Sequence, residues 1–149
     1  MKRPGTGPEM EALVRQVREA AAQEAERVLR EAARRIEADA SAWAQVEQAV
    51  RDGVHRIGAT ILETALKTLG NGYERSVLPC ACGGGQKYVS DRERRVVSLV
   101  GEVRLRRAYY WCPKCKASRI PLDERLGVAA TDFSPGVQQA VALLGAQQP

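Results

Sequence analysis

Two short cysteine pairs, Cys80-Ala81-Cys82 and Cys112-Pro113-Lys114-Cys115, hold all four cysteines of the chain. Nothing else in the sequence restricts the fold as tightly. The 29 residues between the pairs, 83 to 111, read as a glycine-rich turn followed by a β-hairpin. Four thiols on two tight turns joined by a hairpin are the sequence form of a structural zinc ribbon, with Cys80, Cys82, Cys112 and Cys115 as ligands of Zn2+. Gly83-Gly84-Gly85 permits the positive φ values that turn backbone amides toward the sulfurs. The first pair has one intervening residue instead of the commoner two, so a redox dithiol and incidental cysteines stand as alternatives. Lys87, Lys114 and Lys116 are placed to offset the negative charge of the thiolates.

The compartment bears on that choice. Lys2 and Arg3 are not followed by an apolar segment, so no secretory signal is expected. No apolar run approaches the roughly 18 residues of a membrane span. The expected location is therefore cytoplasmic, with no membrane partner, where thiols stay reduced and metal binding is favoured over disulfides.

At 149 residues the chain has room for one medium domain or two small modules. Hydrophobic residues make up 44% but aromatics only 5%, and alanine supplies much of the apolar count. Small modules stabilised by helix pairing or by a metal fit this better than one large core. The overall expectation is an α+β chain: a long N-terminal helix or helical hairpin, a small zinc-ribbon β module, and the start of a C-terminal helix.

Residues 1–8, with two prolines and two glycines, are expected to be a disordered lead-in. Residues 9–72 form a helical arm rich in alanine, glutamate and arginine. Met10, Leu13, Val17, Ala21, Val28, Ala32 and Ile36 recur at helical spacings, and Glu26 and Arg30 are placed for an i,i+4 ion pair. The pattern falters at Asp39-Ala40-Ser41, where Asp39 or Ser41 could cap a second helix. It resumes with Trp43, Val46, Val50, Val54, Ile57, Ile61, Ala65 and Leu69 and stops at Gly70-Asn71-Gly72. The arm either packs on itself or forms a coiled coil that makes a homodimer through residues 9–70. His55, the single histidine, lies beside the stripe, far in sequence from the cysteines.

Residues 76–125 form the cysteine module, with 11 Lys/Arg against 5 Asp/Glu, whereas residues 1–75 balance at 12 of each. Four thiolates and a zinc ion would subtract about 2, leaving roughly +4, a modest footprint for a phosphate backbone. Gln86 to Asp91 reads as a short strand, and 94–99 with 103–110 as a hairpin about Val100-Gly101-Glu102. A three-residue loop pairs Leu99 with Val103 and Val97 with Leu105. It places Val97, Leu99, Val103, Leu105, Tyr109 and Trp111 on an apolar face, and Arg92, Arg94, Arg104 and Arg106 on a basic one. Those four arginines, with Arg95 and Arg107 at the edges, are the candidate DNA-phosphate contacts. The alternative is an ordinary solvated outer face. Tyr109, Tyr110 and Trp111 could stack on bases, although core packing suits Tyr109 and Trp111 better.

Residues 126–149 read as a loop and then a helix, with Ser134 as N-cap and Pro135 as first helical residue. The chain stops soon afterwards, which reads as the opening of a truncated helical domain.

Several stretches resemble the N-terminal region of ISKra-type insertion-sequence transposases: 78–84 (Leu-Pro-Cys-Ala-Cys-Gly-Gly), 100–110, 112–115, Pro121-Leu122-Asp123, and Ser134-Pro135-Gly136 with the following Val-Ala-Leu-Leu-Gly. The similarity covers roughly residues 76–147 and is weak over the helical half. It implies a zinc-ribbon-like segment ahead of a helical DNA-binding region and an RNase-H-like catalytic domain of DDE type. The acidic triad of that domain has no positions here, since Asp132 is the only carboxylate side chain beyond Arg125. The expectation is thus a non-catalytic N-terminal fragment that binds DNA and helps to pair subunits. The other class to weigh is a zinc-stabilised protein-interaction adaptor that self-associates through its helical arm. A stand-alone transcriptional regulator fits poorly, because no recognition helix is evident.

Overall fold

No proline interrupts the chain between Pro8 and Pro79, and most of that length is helix. The computed structural model describes residues 7–146, so residues 1–6 of the expected lead-in and 147–149 of the expected C-terminal segment lie outside the described residues. The chain divides into two compact units, Met1–Ala65 and Leu66–Pro149. The fold class is α+β, as expected. Among the described residues, no helix is long and apolar enough to cross a membrane.

The first unit is a pair of helices, α1 (Pro8–Ala38) and α2 (Trp43–Lys67). The hairpin forms because Asp39 builds a turn: its carboxylate accepts the Ser41 amide at 2.9 Å and the Ser41 hydroxyl at 2.7 Å. That side chain serves the turn and does not cap α2, whose first bond runs from Val46 N–H to the Ala42 carbonyl at 3.0 Å. The helices meet where α2 has no side chain. A Cβ on Gly53 would lie 2.3 Å from Val28 Cγ2, so only glycine permits this approach. One turn away on each helix, Arg56 reaches Glu24 at 2.6 Å. Along α1, Glu26–Arg30 pairs as the spacing predicts, joined by Glu24–Arg27, Glu31–Arg34 and Glu31–Arg35. Pairs as exposed as these add little to stability.

The second unit is an antiparallel meander, order β1-β2-β3-β4: β1 (Val77–Pro79), β2 (Gly85–Ser98), β3 (Gly101–Trp111) and β4 (Ser118–Arg119). β2 is one continuous strand, not the two pieces expected. The β2–β3 loop also differs from expectation. Ser98 pairs with Gly101 and Val96 with Val103, so only Leu99 and Val100 form the loop. Gly101 takes φ 114°, and the Ser98 hydroxyl donates to the Gly101 carbonyl at 2.6 Å, closing the tighter turn. An even-numbered loop places residues of opposite parity on one face. Val96, Val103 and Leu105 are therefore buried, while Val97 and Leu99 are exposed. A bulge at Val89 shifts the register once more, between Tyr88 and Ser90.

Arg107 and Ala108 are consecutive in β3, point to opposite faces, and are both buried. The sheet is thus covered on both sides near its middle. One cover is the strap that joins α2 to β1. The Ala108 N–H donates to the Asn71 carbonyl at 2.7 Å, and the Tyr88 N–H to the Ser76 carbonyl at 2.9 Å. Between them the Tyr110 hydroxyl accepts the Glu74 amide at 3.1 Å and donates to the Arg75 carbonyl at 2.9 Å. Tyr110, fully buried with Leu78 and Ala108, is therefore the core aromatic; Tyr109 and Trp111, expected in that role, are only half-buried.

The other cover is a short helix, α3 (Pro121–Leu126), where a loop was expected beyond Glu124. Gly127, at φ 69°, ends it and turns the chain back, so that the N–H of buried Val128 donates to the Asp123 carbonyl at 3.0 Å. The next residues pair with the free edge of β2: Val97 N–H donates to the Asp132 carbonyl at 2.8 Å, and Ser134 N–H to the Val97 carbonyl at 2.9 Å. Residues 126–134, the loop of the expected 126–149 segment, thus lie against the sheet within the same compact unit. The final helix, α4 (Pro135–Ala146), starts as predicted, with Val137 N–H donating to the Ser134 hydroxyl at 3.3 Å.

Candidate metal centre

The meander brings the two cysteine pairs to one end of the sheet, Cys80 and Cys82 in the β1–β2 turn and Cys112 and Cys115 in the β3–β4 turn. Local hydrogen bonds shape each turn. In the first, Gly83 N–H donates to the Cys80 carbonyl at 2.9 Å and Cys80 N–H to the Gly84 carbonyl at 3.0 Å. Gly83 has φ 75°, the left-handed conformation expected of the glycine run. In the second, Lys116 N–H donates to the Cys112 carbonyl and Cys112 N–H to the Ala117 carbonyl, both at 2.9 Å. Lys116 accepts a left-handed φ of 64° to make that turn.

The four sulfurs all lie within 4.8 Å of one another, the one group of potential metal ligands of this size among the described residues. Cys80 faces Cys115 at 3.5 Å and Cys82 faces Cys112 at 3.6 Å. A disulfide needs about 2.05 Å, so these are thiols. A tetrahedral ion with metal–sulfur bonds of about 2.3 Å sets its sulfurs about 3.8 Å apart, and the observed spacing fits. Four protein sulfurs fill such a tetrahedron and leave no coordination position for a substrate.

The surroundings tune the thiols unequally. Backbone N–H groups of Cys115 and Lys114 face the Cys112 sulfur and, against its burial, hold that thiol down to about 6. At Cys82 the Gly84 amide also draws the value down, but burial and the neighbouring thiols outweigh it and push it up to about 12. Gly84 leaves little spare room: a Cβ there would stand 3.3 Å from Cys82 Sγ and 3.4 Å from Cys112 Sγ. Of the lysines expected near the thiolates, Lys114 donates to the Cys82 carbonyl at 3.1 Å, and Lys116 lies over the Trp111 ring at 5.9 Å.

The arginine set comes apart in the structure. Because the loop has two residues, Arg92 and Arg94 do not share a face with Arg104 and Arg106. Arg94 turns inward to Asp123 at 2.9 Å, Asp132 at 2.7 Å and the Val128 carbonyl at 2.8 Å. Arg107 also points inward and meets Asp123 at 2.6 Å. Arg92 lies 3.4 Å above the Tyr109 ring. The outer face instead carries Arg95, directly opposite Arg104, and Arg106, opposite Glu93. Arg95 is 70% exposed beside Glu102, and Arg106 is 78% exposed against Asp91. At Asp91, burial works to raise the carboxyl, but hydrogen bonds from Tyr88, Arg106 and Asn71 prevail and hold it below the usual range.

Sequence patterns did not reveal Asp91, Asn71 or Asp123 as organising residues. Asp123 carried the one available signal, a carboxylate in a short proline-started segment next to leucine. No protein-family model matches the chain, and no curated protein or solved structure matches it. Fold and site together define a small antiparallel sheet with a four-thiol, metal-compatible knuckle pair.

Proposed function

We propose that the chain is a zinc-stabilised DNA-binding module, a non-catalytic part of a transposase that holds DNA while the cutting chemistry resides elsewhere. Zinc is the natural occupant of four thiolates at tetrahedral spacing in a closed site. Its work is to clamp the two turns and so fix the direction in which the outer face of the β2–β3 hairpin points. The motif similarity of residues 76–147 supports placing that module in a transposase.

The observation that carries the DNA reading is Arg95 directly opposite Arg104 on an exposed sheet face, with Arg106 two residues along. Arg95 and Arg106 hold only exposed surface pairs, with Glu102 and Asp91, and a phosphate would exchange such weak pairs for charge-assisted hydrogen bonds. The contact set is accordingly Arg95, Arg104 and Arg106; Arg92 lies on the opposite face over Tyr109, and Arg94 is held by its inward ion pairs.

Binding of duplex DNA should weaken steeply with salt. Replacing Arg95, Arg104 and Arg106 together by Gln should lower the slope of log K against log salt by about 2–3. Wild-type protein that leaves duplex DNA unshifted at low salt would refute the proposal, as would a triple variant with unchanged slope. Metal-dependent strand cleavage by the purified chain would refute the non-catalytic assignment.

A second reading, an interaction adaptor that self-associates through its helices, is favoured by the large apolar side chains exposed on α1 and α2. Self-association insensitive to salt, with no DNA shift, would single it out.

A further inference from the structure

The first unit is poorly provided with a core of its own. Across the 31 residues of α1 and 25 of α2, the buried residues are Ala32, Val46 and Gly53, none larger than valine. Large apolar side chains lie outside. Leu29 is 69% exposed and Ile36 41% on α1; Val50 is 42%, Val54 60% and Ile61 50% on α2. Helices exist in water by burying an apolar stripe, and one pair of helices normally needs a further layer to do so.

These side chains are ordered in space. Ala25, Leu29 and Ile36 on α1 and Val50, Val54 and Ile61 on α2 follow helical spacings, so each set forms a stripe. Between the middle parts of the stripes, residues 25–32 of α1 and 50–57 of α2, runs an apolar groove of about 280 Å³. Ala32 and Gly53 make its floor low, and Leu29 and Val54 stand at its rims. The lined stretch of α1, residues 25 to 32, corresponds to about 10 Å of helix.

We infer that a second copy of this chain covers this groove, the two hairpins packing about a two-fold axis as a four-helix bundle. Leu29 and Val54 of each copy would enter the groove of the other, ridge into groove. A self-complementary surface suits this geometry: one rim and one low floor per copy, each matching the other's counterpart. Charge permits it as well. Residues 1–65 hold 10 Lys/Arg and 11 Asp/Glu, so two copies meet without net repulsion, while the basic surplus lies in residues 76–125. This inference deepens the second of the two readings above and does not draw on DNA binding.

Sedimentation equilibrium of the full, metal-loaded chain tests it. Wild type should show twice the 16.3 kDa chain mass at tens of micromolar. The doubly substituted Leu29→Glu/Val54→Glu protein should show half the wild-type mass. Because both positions are exposed, a single hairpin tolerates these changes. Leu143→Glu/Leu144→Glu on α4, where both residues are 68% exposed, is the control and should keep the wild-type mass. A wild-type chain that stays monomeric at 100 micromolar would overturn the inference, even if the variants proved unstable. It would also be overturned if the groove variant stayed dimeric, or if the α4 variant alone became monomeric. Dimerisation without DNA binding would leave the inference standing and defeat only the DNA reading.

Discussion

Replacing Asp123 by Ala should be among the most damaging single changes to the sheet unit. Its carboxylate, 5% exposed, accepts from Arg94 at 2.9 Å and from Arg107 at 2.6 Å on the same oxygen. Arg94 retains Asp132 and the Val128 carbonyl, so the loss falls mainly on Arg107, whose side chain is 8% exposed. The Arg107 Nε and Asp123 Oδ1 are already buried without a partner, so the site has no spare bond to recruit. Removing one member of a buried pair strands the other charge and costs about 3–5 kcal/mol. A unit of this size is stable by roughly 5–10 kcal/mol, so about half of its margin would go. With a urea slope of about 1.5 kcal/mol/M, the midpoint should fall by about 2–3 M. The assay is urea unfolding followed by Trp111 fluorescence in a Trp43→Phe background, which confines the signal to the sheet unit. Asp123→Asn should fall between wild type and Asp123→Ala, since a neutral amide still accepts a hydrogen bond. Arg107→Met with Asp123→Leu should recover much of the loss, because the whole pair is then replaced by apolar volume. A midpoint for Asp123→Ala within about 0.3 M of wild type would refute the reasoning.

Other outcomes follow from the same geometry. Tyr110→Phe removes the hydroxyl that holds the strap at Glu74 and Arg75, and should cost about 1–3 kcal/mol in the same urea assay with little change in metal content. Gly84→Val crowds the sulfurs of Cys82 and Cys112, and should weaken metal retention about tenfold or more in a chelator competition. In the helical unit, hydrogen bonds from Arg27 and Arg56 pull the Glu24 carboxyl down to about 2, below its unfolded value of about 4.3. A depressed acid stabilises above its unfolded pKa, so this contribution should be complete above pH 5 and lost as pH falls from about 4.5 to 2. Thermal melting of the helices by circular dichroism should show that loss, reduced in Arg56→Gln.

Much of this architecture was legible in the residues. Helical spacing, the break at Asp39 and the Ser134-Pro135 start each depend on neighbours in sequence, and each appears where local chemistry places it; α2 ends at Lys67, three residues before the expected stop at Gly70. The cysteine quartet was legible for the same reason: two tight turns and a hairpin leave few ways to arrange four thiols. The hairpin face was not. A one-residue change in loop length exchanges the two faces of a strand, and Val100-Gly101-Glu102 and Leu99-Val100 are equally plausible turns until Ser98 closes the shorter one on Gly101. The inward turn of Arg94 and Arg107 depended on Asp123, 29 and 16 residues away, and no local pattern carries that information. The strap at 71–76 was hidden likewise, since its bonds are made by backbone groups to β2 and β3.

In the proposed function, one structural zinc ion held by Cys80, Cys82, Cys112 and Cys115 keeps the sheet unit folded. Metal analysis of the chain purified under reducing conditions, combined with Trp111 fluorescence during chelation, tests it directly. The expected result is close to one zinc per chain, unfolding of the sheet unit as the metal is withdrawn, and loss of both metal and fold in Cys112→Ser. A chain that carries no stoichiometric metal and keeps its sheet in excess chelator would contradict it.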